Sequence, residues 1–267
     1  MARILAITNQ KGGVGKTTTA INLAASLAAA ELPTLLVDCD PQGNASSGVG
    51  VARQSVATSL YHVVMGFVPA AEAVLPTPLQ GLKVLPASRD LVGVNIELAQ
   101  AENRETRLRD TLQPLVPEFE FLILDCPPAL DLLTLNALVA AHAVIVPMQC
   151  EYFALEGISQ LLETITAVQT NWNPGLRIEG ILFNQFDDRT NLSRQVADDL
   201  RQHFGAQIFA TTIPRNIRLA EAPSFGQPVL LYDVRSRGSE AYLQLAREVI
   251  GREQQFRESA QGIGAGA

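Results

Sequence analysis

Short apolar runs recur along the chain at residues 4–7, 34–37, 82–85, 121–124, 143–147, 178–183 and, less regularly, 207–213. Between them, apolar residues fall three and four apart over residues 17–30, 88–98, 103–115, 132–141, 155–169, 192–204 and 238–256. The first pattern reads as buried strands and the second as amphipathic helices. Strands that are apolar on both faces and alternate with helices predict an α/β fold. The form expected is a single-domain, doubly wound, mostly parallel sheet flanked by helices. Ligands on such sheets bind beyond the carboxyl ends of the strands. The polar residues that interrupt the apolar pattern at those ends are therefore the first candidates for chemistry.

The clearest interruption follows the first strand: Lys11-Gly12-Gly13-Val14-Gly15-Lys16-Thr17-Thr18. A strand, a glycine-rich turn ending in Lys-Thr, and a helix make the context of a phosphate-binding loop. Glycines let backbone N–H groups turn toward a polyphosphate, and the helix N-terminus adds partial positive charge. Lys16 is placed to reach the β- and γ-phosphates, and the Thr17 hydroxyl to ligate Mg²⁺. The general pattern, G-x-x-x-x-G-K-[ST], asks for glycine at position 10, where this chain has Gln10. It also has a second lysine, Lys11, inside the loop. Two further strand ends carry carboxylates: Asp38 and Asp40 after residues 34–37, and Asp125 after residues 121–124. Carboxylates beside a triphosphate orient the attacking water or help hold Mg²⁺.

Composition narrows the setting. Of 267 residues 47% are hydrophobic, enough to build one sizeable core. No run approaches the ~18 consecutive apolar residues of a membrane span, and no basic leader precedes the first strand, so a cytoplasmic location is expected. The three cysteines, Cys39, Cys126 and Cys150, are isolated and end apolar runs, which predicts buried thiols. Residues 1–184 carry 10 basic and 17 acidic side chains, whereas residues 185–267 carry 10 of each, every base there an arginine. A chain of net charge −7 does not coat DNA indiscriminately, so any nucleic-acid binding must come from a local arginine patch. Residues 1–256 read as the folded domain and 257–267, rich in Gly and Ala, as a frayed tail.

The loop with its additional lysine resembles the deviant Walker A loop of the ParA/MinD ATPase superfamily. Residues 7–18, Val37-Asp38-Cys39-Asp40-Pro41-Gln42-Gly43-Asn44, Leu124-Asp125-Cys126-Pro127-Pro128, residues 149–157 and residues 213–226 together look like the chromosomal ParA (Soj) proteins, over roughly residues 2–250. The resemblance implies an ATPase, using ATP and Mg²⁺, that forms a homodimer on ATP binding. It implies that Lys11 crosses to the partner subunit's nucleotide, that Asp40 supports hydrolysis, and that Asp125 serves Mg²⁺. Glu151 is implied at the dimer interface, within reach of the partner's nucleotide, and Pro214 and Arg215 beside the adenine. Where the family commonly has Thr-Met, this chain has Asn184-Gln185, and the Asn184 amide is expected to face the base edge. Arg189, Arg215 and Arg218 are the implied contacts to non-specific double-stranded DNA, which would place the protein on the nucleoid. A ParB-like centromere-binding partner is implied to stimulate hydrolysis. The alternative is a membrane-associated positioning ATPase like MinD, which needs a C-terminal amphipathic helix where this chain has a Gly/Ala tail.

Overall fold

The computed structural model describes residues 2–151 and 154–264. Its strands are β1 (Arg3–Ile7), β2 (Thr34–Asp38), β3 (Leu75–Pro76), β4 (Leu82–Leu85), β5 (Phe121–Asp125), β6 (Ala143–Met148) and β7 (Arg177–Phe183). They form one sheet in the order β3-β4-β2-β5-β1-β6-β7, parallel except for the short edge strand β3. Every residue of β1, β2, β5 and β6 is buried. That is why these strands read as unbroken apolar runs rather than alternating ones.

Alternate residues of each strand feed two separate cores. Ile4, Ala6, Leu122, Leu124, Val144 and Val146 pack with the helices Leu132–Ala140, Ala154–Asn171 and Asn191–Phe204. Leu5, Ile7, Ile123 and Ile145 pack on the other face with α1 (Lys16–Ala29) and the C-terminal helix Arg237–Gly264. Helix α1 lies between the sheet and that last helix, and residues 19–28 are all buried. Its run of alanines follows from this: contact on two sides leaves little space for side chains.

Register fixes the functional edge. Asp125 at the end of β5 pairs with Ile7 on one side and Asp38 on the other. The glycine-rich loop and both carboxylate-bearing segments therefore leave the sheet at one level. The opposite edge is closed by charge. The register of β6 against β7 skips Glu179. Glu179 accepts from Arg3 Nη2 at 2.7 Å, and Arg3 Nε lies 3.1 Å from Glu253 Oε2 on the C-terminal helix.

Six of the expected strands are present. The segment 207–213 is not a strand: along β7 it makes the isolated bridge between Ile181 and Ile208 and the bonds of Phe209 N to Ile181 O and Ile213 N to Phe183 O, without a continuous ladder. The amides of Ala210 and Thr211 are taken by the Glu248 carboxylate instead of by a neighbouring strand. The expected helix 88–98 divides into a 3₁₀ segment, Arg89–Gly93, and a short helix, Val94–Glu97. The expected helix 103–115 is helical only from Arg107, and Pro114 and Pro117 turn its end into a 3₁₀ segment, Gln113–Glu118. The last helix runs on to Gly264, past the expected boundary at 256, because Glu253–Gln255 and Arg257–Gln261 contain good helix formers ahead of the glycines. Residues 265–267 lie outside the described residues.

The Arg3 clasp yields a stability prediction. Arg3→Met removes the guanidinium that contacts both buried Glu179 and buried Glu253, which is expected to cost about 3–5 kcal/mol. Urea unfolding of nucleotide-free protein measures this, and a loss below about 1 kcal/mol would contradict the clasp.

Candidate nucleotide site

The loop between β1 and α1 owes its shape to two glycines. Gly13 (φ 76°) and Gly15 (φ 88°) are left-handed. A Cβ on Gly15 would also fall 2.2 Å from Asn184 Nδ2. Val14 is buried and anchors the loop in the core. Asn9 ties it to β6, donating to Pro147 O at 2.8 Å and accepting from Lys11 N at 3.0 Å. Helix α1 starts with neither a side-chain cap nor an acidic residue in its first turn. Its first N–H groups and dipole are thus left for an anion.

Two cavities meet at this loop. One of about 270 Å³ is lined by Gly12, Gly13, Gly15, Lys16, Thr17, Thr18, Asp40, Pro128 and Gln185. The other, about 550 Å³, is lined by Asn184, Pro214, Arg215, Asn216, Ile217, Leu219 and Ala220, and shares Gly15, Thr18 and Gln185 with the first. A small polar cavity joined to a larger, less polar one suits the phosphates and the nucleoside of one ligand.

The charged groups around the smaller cavity are held out of water. Lys16 is buried, and its Nζ donates to Lys11 O at 3.0 Å. Burial lowers its pKa, partly offset by Asp125, Cys126 and Asp40. Burial, and then the neighbouring Asp38, push the Asp125 carboxyl well above the usual range. The Thr17 hydroxyl approaches Asp125 and offsets part of this, yet neither carboxylate oxygen has a well-formed hydrogen bond.

Asp38 and Asp40, which the sequence presents as a pair, have different surroundings. Asp38 is fully buried and is pushed up to about 6 by burial. It accepts from Ser46 N at 2.8 Å, Ser46 Oγ at 2.6 Å and Asp40 N at 3.2 Å, so it shapes the loop that carries Asp40. Asp40 lines the cavity. No sequence signal separated these two roles, because Ser46 is an ordinary serine in a short helix.

The donor set fits Mg²⁺. Asp125 offers hard oxygens with no well-formed hydrogen bond, and the Thr17 hydroxyl is next to it. No group of three His, Cys, Asp or Glu side chains converges as a metal cage among the described residues. Mg²⁺ requires none, since it is commonly held by one or two protein oxygens together with phosphates and waters.

The remaining expected site residues are distributed as follows. Pro214 and Arg215 line the larger cavity. Asn184 lines it too, but its amide donates at 3.3 Å to both Gly15 O and Thr19 Oγ1, while its oxygen accepts Gln185 N. It braces the loop from behind, so a bond to a base edge would compete with these contacts. Lys11 is not among the residues that line either cavity: its Nζ pairs with Glu151 Oε2, with the two side chains 46% and 55% exposed. Tyr152 and Phe153, in the same motif as Glu151, lie outside the described residues.

Arg189 makes a bidentate contact with Asp187 at 2.8 and 2.7 Å, drawing that carboxyl down to about 2. Arg218 pairs with Glu221 at 2.9 Å and Asp233 at 3.3 Å. All three cysteines are free and buried, as expected. No described helix is long and apolar enough to cross a membrane.

Comparison with known proteins agrees with this geometry. A family model described as an AAA domain matches residues 2–178. The chromosome partitioning protein ParA of Myxococcus xanthus is 54% identical over 95% of this chain and 89% of its own length. The chromosome-partitioning ATPase Soj of Thermus thermophilus is 50% identical over 95% of this chain and 97% of its own. Among solved structures, cobyrinic acid a,c-diamide synthase of Mycobacterium smegmatis, with bound ATP analogue and magnesium, superposes with a TM-score of 0.82. It is 38% identical, over 92% of this chain and 93% of that one. A phosphate loop at the carboxyl edge of a parallel sheet, a Mg²⁺-ready carboxylate beside it and near-full-length similarity lead to one conclusion. The chain is an ATPase that uses ATP and Mg²⁺, and it belongs to the ParA/Soj family of chromosome-partitioning ATPases.

Proposed function

We propose that ATP closes two copies of this chain into a two-fold dimer that binds DNA without sequence preference, and that hydrolysis releases it. The observation that carries the reading is the direction of Lys11. This lysine belongs to the phosphate loop, yet its ammonium lies outside the phosphate cavity, paired with Glu151 at the surface. An exposed ion pair is weak and easily exchanged. A triphosphate presented by a second subunit would offer Lys11 a denser anion than Glu151 does.

Within one subunit, Lys16 and the α1 amides would hold the phosphates, and Asp40 would orient the attacking water. Thr17 and Asp125 would hold Mg²⁺, which when bound neutralises charge on the β- and γ-phosphates. Pro214, Arg215 and Asn184 would border the nucleoside.

The arginines supply the DNA contact in this reading. Arg218 lies on the short helix Ile217–Glu221, whose Ile217, Leu219 and Ala220 line the larger cavity. A nucleotide there would press on the element that carries the DNA contact. Arg189 is 85% exposed, so phosphates can replace Asp187 as its partner. Arg215 faces the nucleoside cavity, and its part in DNA binding is secondary. A dimer presents two such patches at once, which multiplies modest affinities. A ParB-like partner would stimulate turnover and so set the lifetime of the DNA-bound state.

Two predictions follow from these placements. Lys16→Ala is expected to weaken ATP binding by at least about 10-fold, since a charge-assisted contact to phosphate is lost. Titration with a fluorescent ATP analogue measures this, and affinity within twofold of the parent would contradict the role of Lys16. DNA binding is expected with ATP but not ADP, to weaken steeply with salt and to be indifferent to sequence. Arg218→Ala should reduce the log–log salt slope by about 1 per subunit. Gel shifts that ignore the nucleotide would refute the switch, and an unchanged slope would remove Arg218 from the interface.

A further inference from the structure

Gln185, two residues past the end of β7, has a φ of 52°. The left-handed region is unfavourable for a side-chain-bearing residue, and such strain persists only where surrounding contacts impose it. They do so here. Asn184 N donates to Met148 O at 2.8 Å, Gln185 N to Asn184 Oδ1 at 2.9 Å and Phe186 N to Ile213 O at 2.9 Å. The result is a sharp bend that sends the Gln185 side chain across the phosphate loop, where Nε2 donates to Gly13 O at 3.0 Å. Gln149, just past β6, reaches the same oxygen at 3.4 Å. Two side-chain amides from neighbouring strand ends thus converge on one loop carbonyl.

The carbonyl they hold is informative. In a trans peptide the C=O and the following N–H point in opposite directions. Fixing Gly13 O therefore fixes the Val14 N–H, at a glycine that otherwise has wide conformational freedom. Loop amides are the groups a polyphosphate uses, and a loop already set in the receiving conformation binds without the cost of ordering it. We propose that Gln185 is a positioning residue for the phosphate loop, pinning Gly13 O so that the loop is ready for a nucleoside di- or triphosphate. The inference rests on the nucleotide occupying this loop. Although Gln185 lines both cavities, its donor is committed to the main chain, so its effect is the same for any base.

Gln185→Met keeps the side-chain length and removes the donor. The Kd values for ADP, ATP and GTP, measured by calorimetry on the full chain, are expected to rise by a common factor of about 3–10. In turnover the loss is expected in KM for ATP. Gln185→Gly provides the control for folding: glycine adopts this φ without strain, so the Tm of the nucleotide-free protein should be no lower while affinity falls as with Met. Unchanged Kd values in the Met variant would overturn the proposal. A loss for ADP and ATP that spares GTP would assign Gln185 to base reading and overturn it too, as would a Tm that drops in both variants in step with affinity. Failure of the parent protein to bind any nucleotide would instead remove the reading on which the inference rests.

Discussion

Three carboxylates and one ammonium are gathered at the carboxyl edge of β1, β2 and β5, and among these carboxylates the buried Asp125 has no well-formed hydrogen bond. Asp38 and Asp125 are fully buried side by side in register, Lys16 is buried near them, and Lys16 and Asp40 line the smaller cavity. Burying charge is costly, and the upward pressure on both aspartates reflects it. A polyphosphate with Mg²⁺ supplies what is missing, an anion for Lys16 and a cation for Asp125. The site is in this sense built for a ligand, at the expense of the empty protein's stability.

The rest of the structure keeps that edge in place. The sheet register aligns the three strand ends, and α1 is fixed between the sheet and the C-terminal helix. Buried Tyr242 on that helix lies 3.2 Å from Thr19, which also accepts from Asn184. The phosphate loop is thus braced by Asn184 from behind and by Gln149 and Gln185 above Gly13. In contrast, the side chains of Lys11 and Glu151 are about half exposed and pair with each other. The braced groups line the subunit's own cavity, and under the proposed reading Lys11 serves the nucleotide of another.

Much of this was legible in the chain. Strands buried on both faces leave unbroken apolar runs, so β1, β2 and β4 to β7 could be read directly, and each polar strand end marked the site. The phosphate loop was readable because glycine positions and Lys-Thr are dictated by local backbone and phosphate chemistry. What was hidden depends on contacts distant in sequence. Ser46 marks Asp38 as a shaping residue only once the short helix folds back. Glu248 occupies the amides that make 207–213 look like a strand. The αL bend at Gln185 requires partners from Met148 and Ile213, and nothing in a Phe-Asn-Gln-Phe stretch announces it.

The central claim is that one subunit's site is finished by Lys11 of another. Sedimentation velocity of the parent and of Lys11→Ala, with ATP at concentrations that saturate both, tests it most directly. The parent is expected to shift from monomer to dimer with ATP and not with ADP, while Lys11→Ala binds ATP yet stays monomeric. A variant that dimerises with ATP as the parent does would show that Lys11 acts within its own subunit, and the shared site would be wrong.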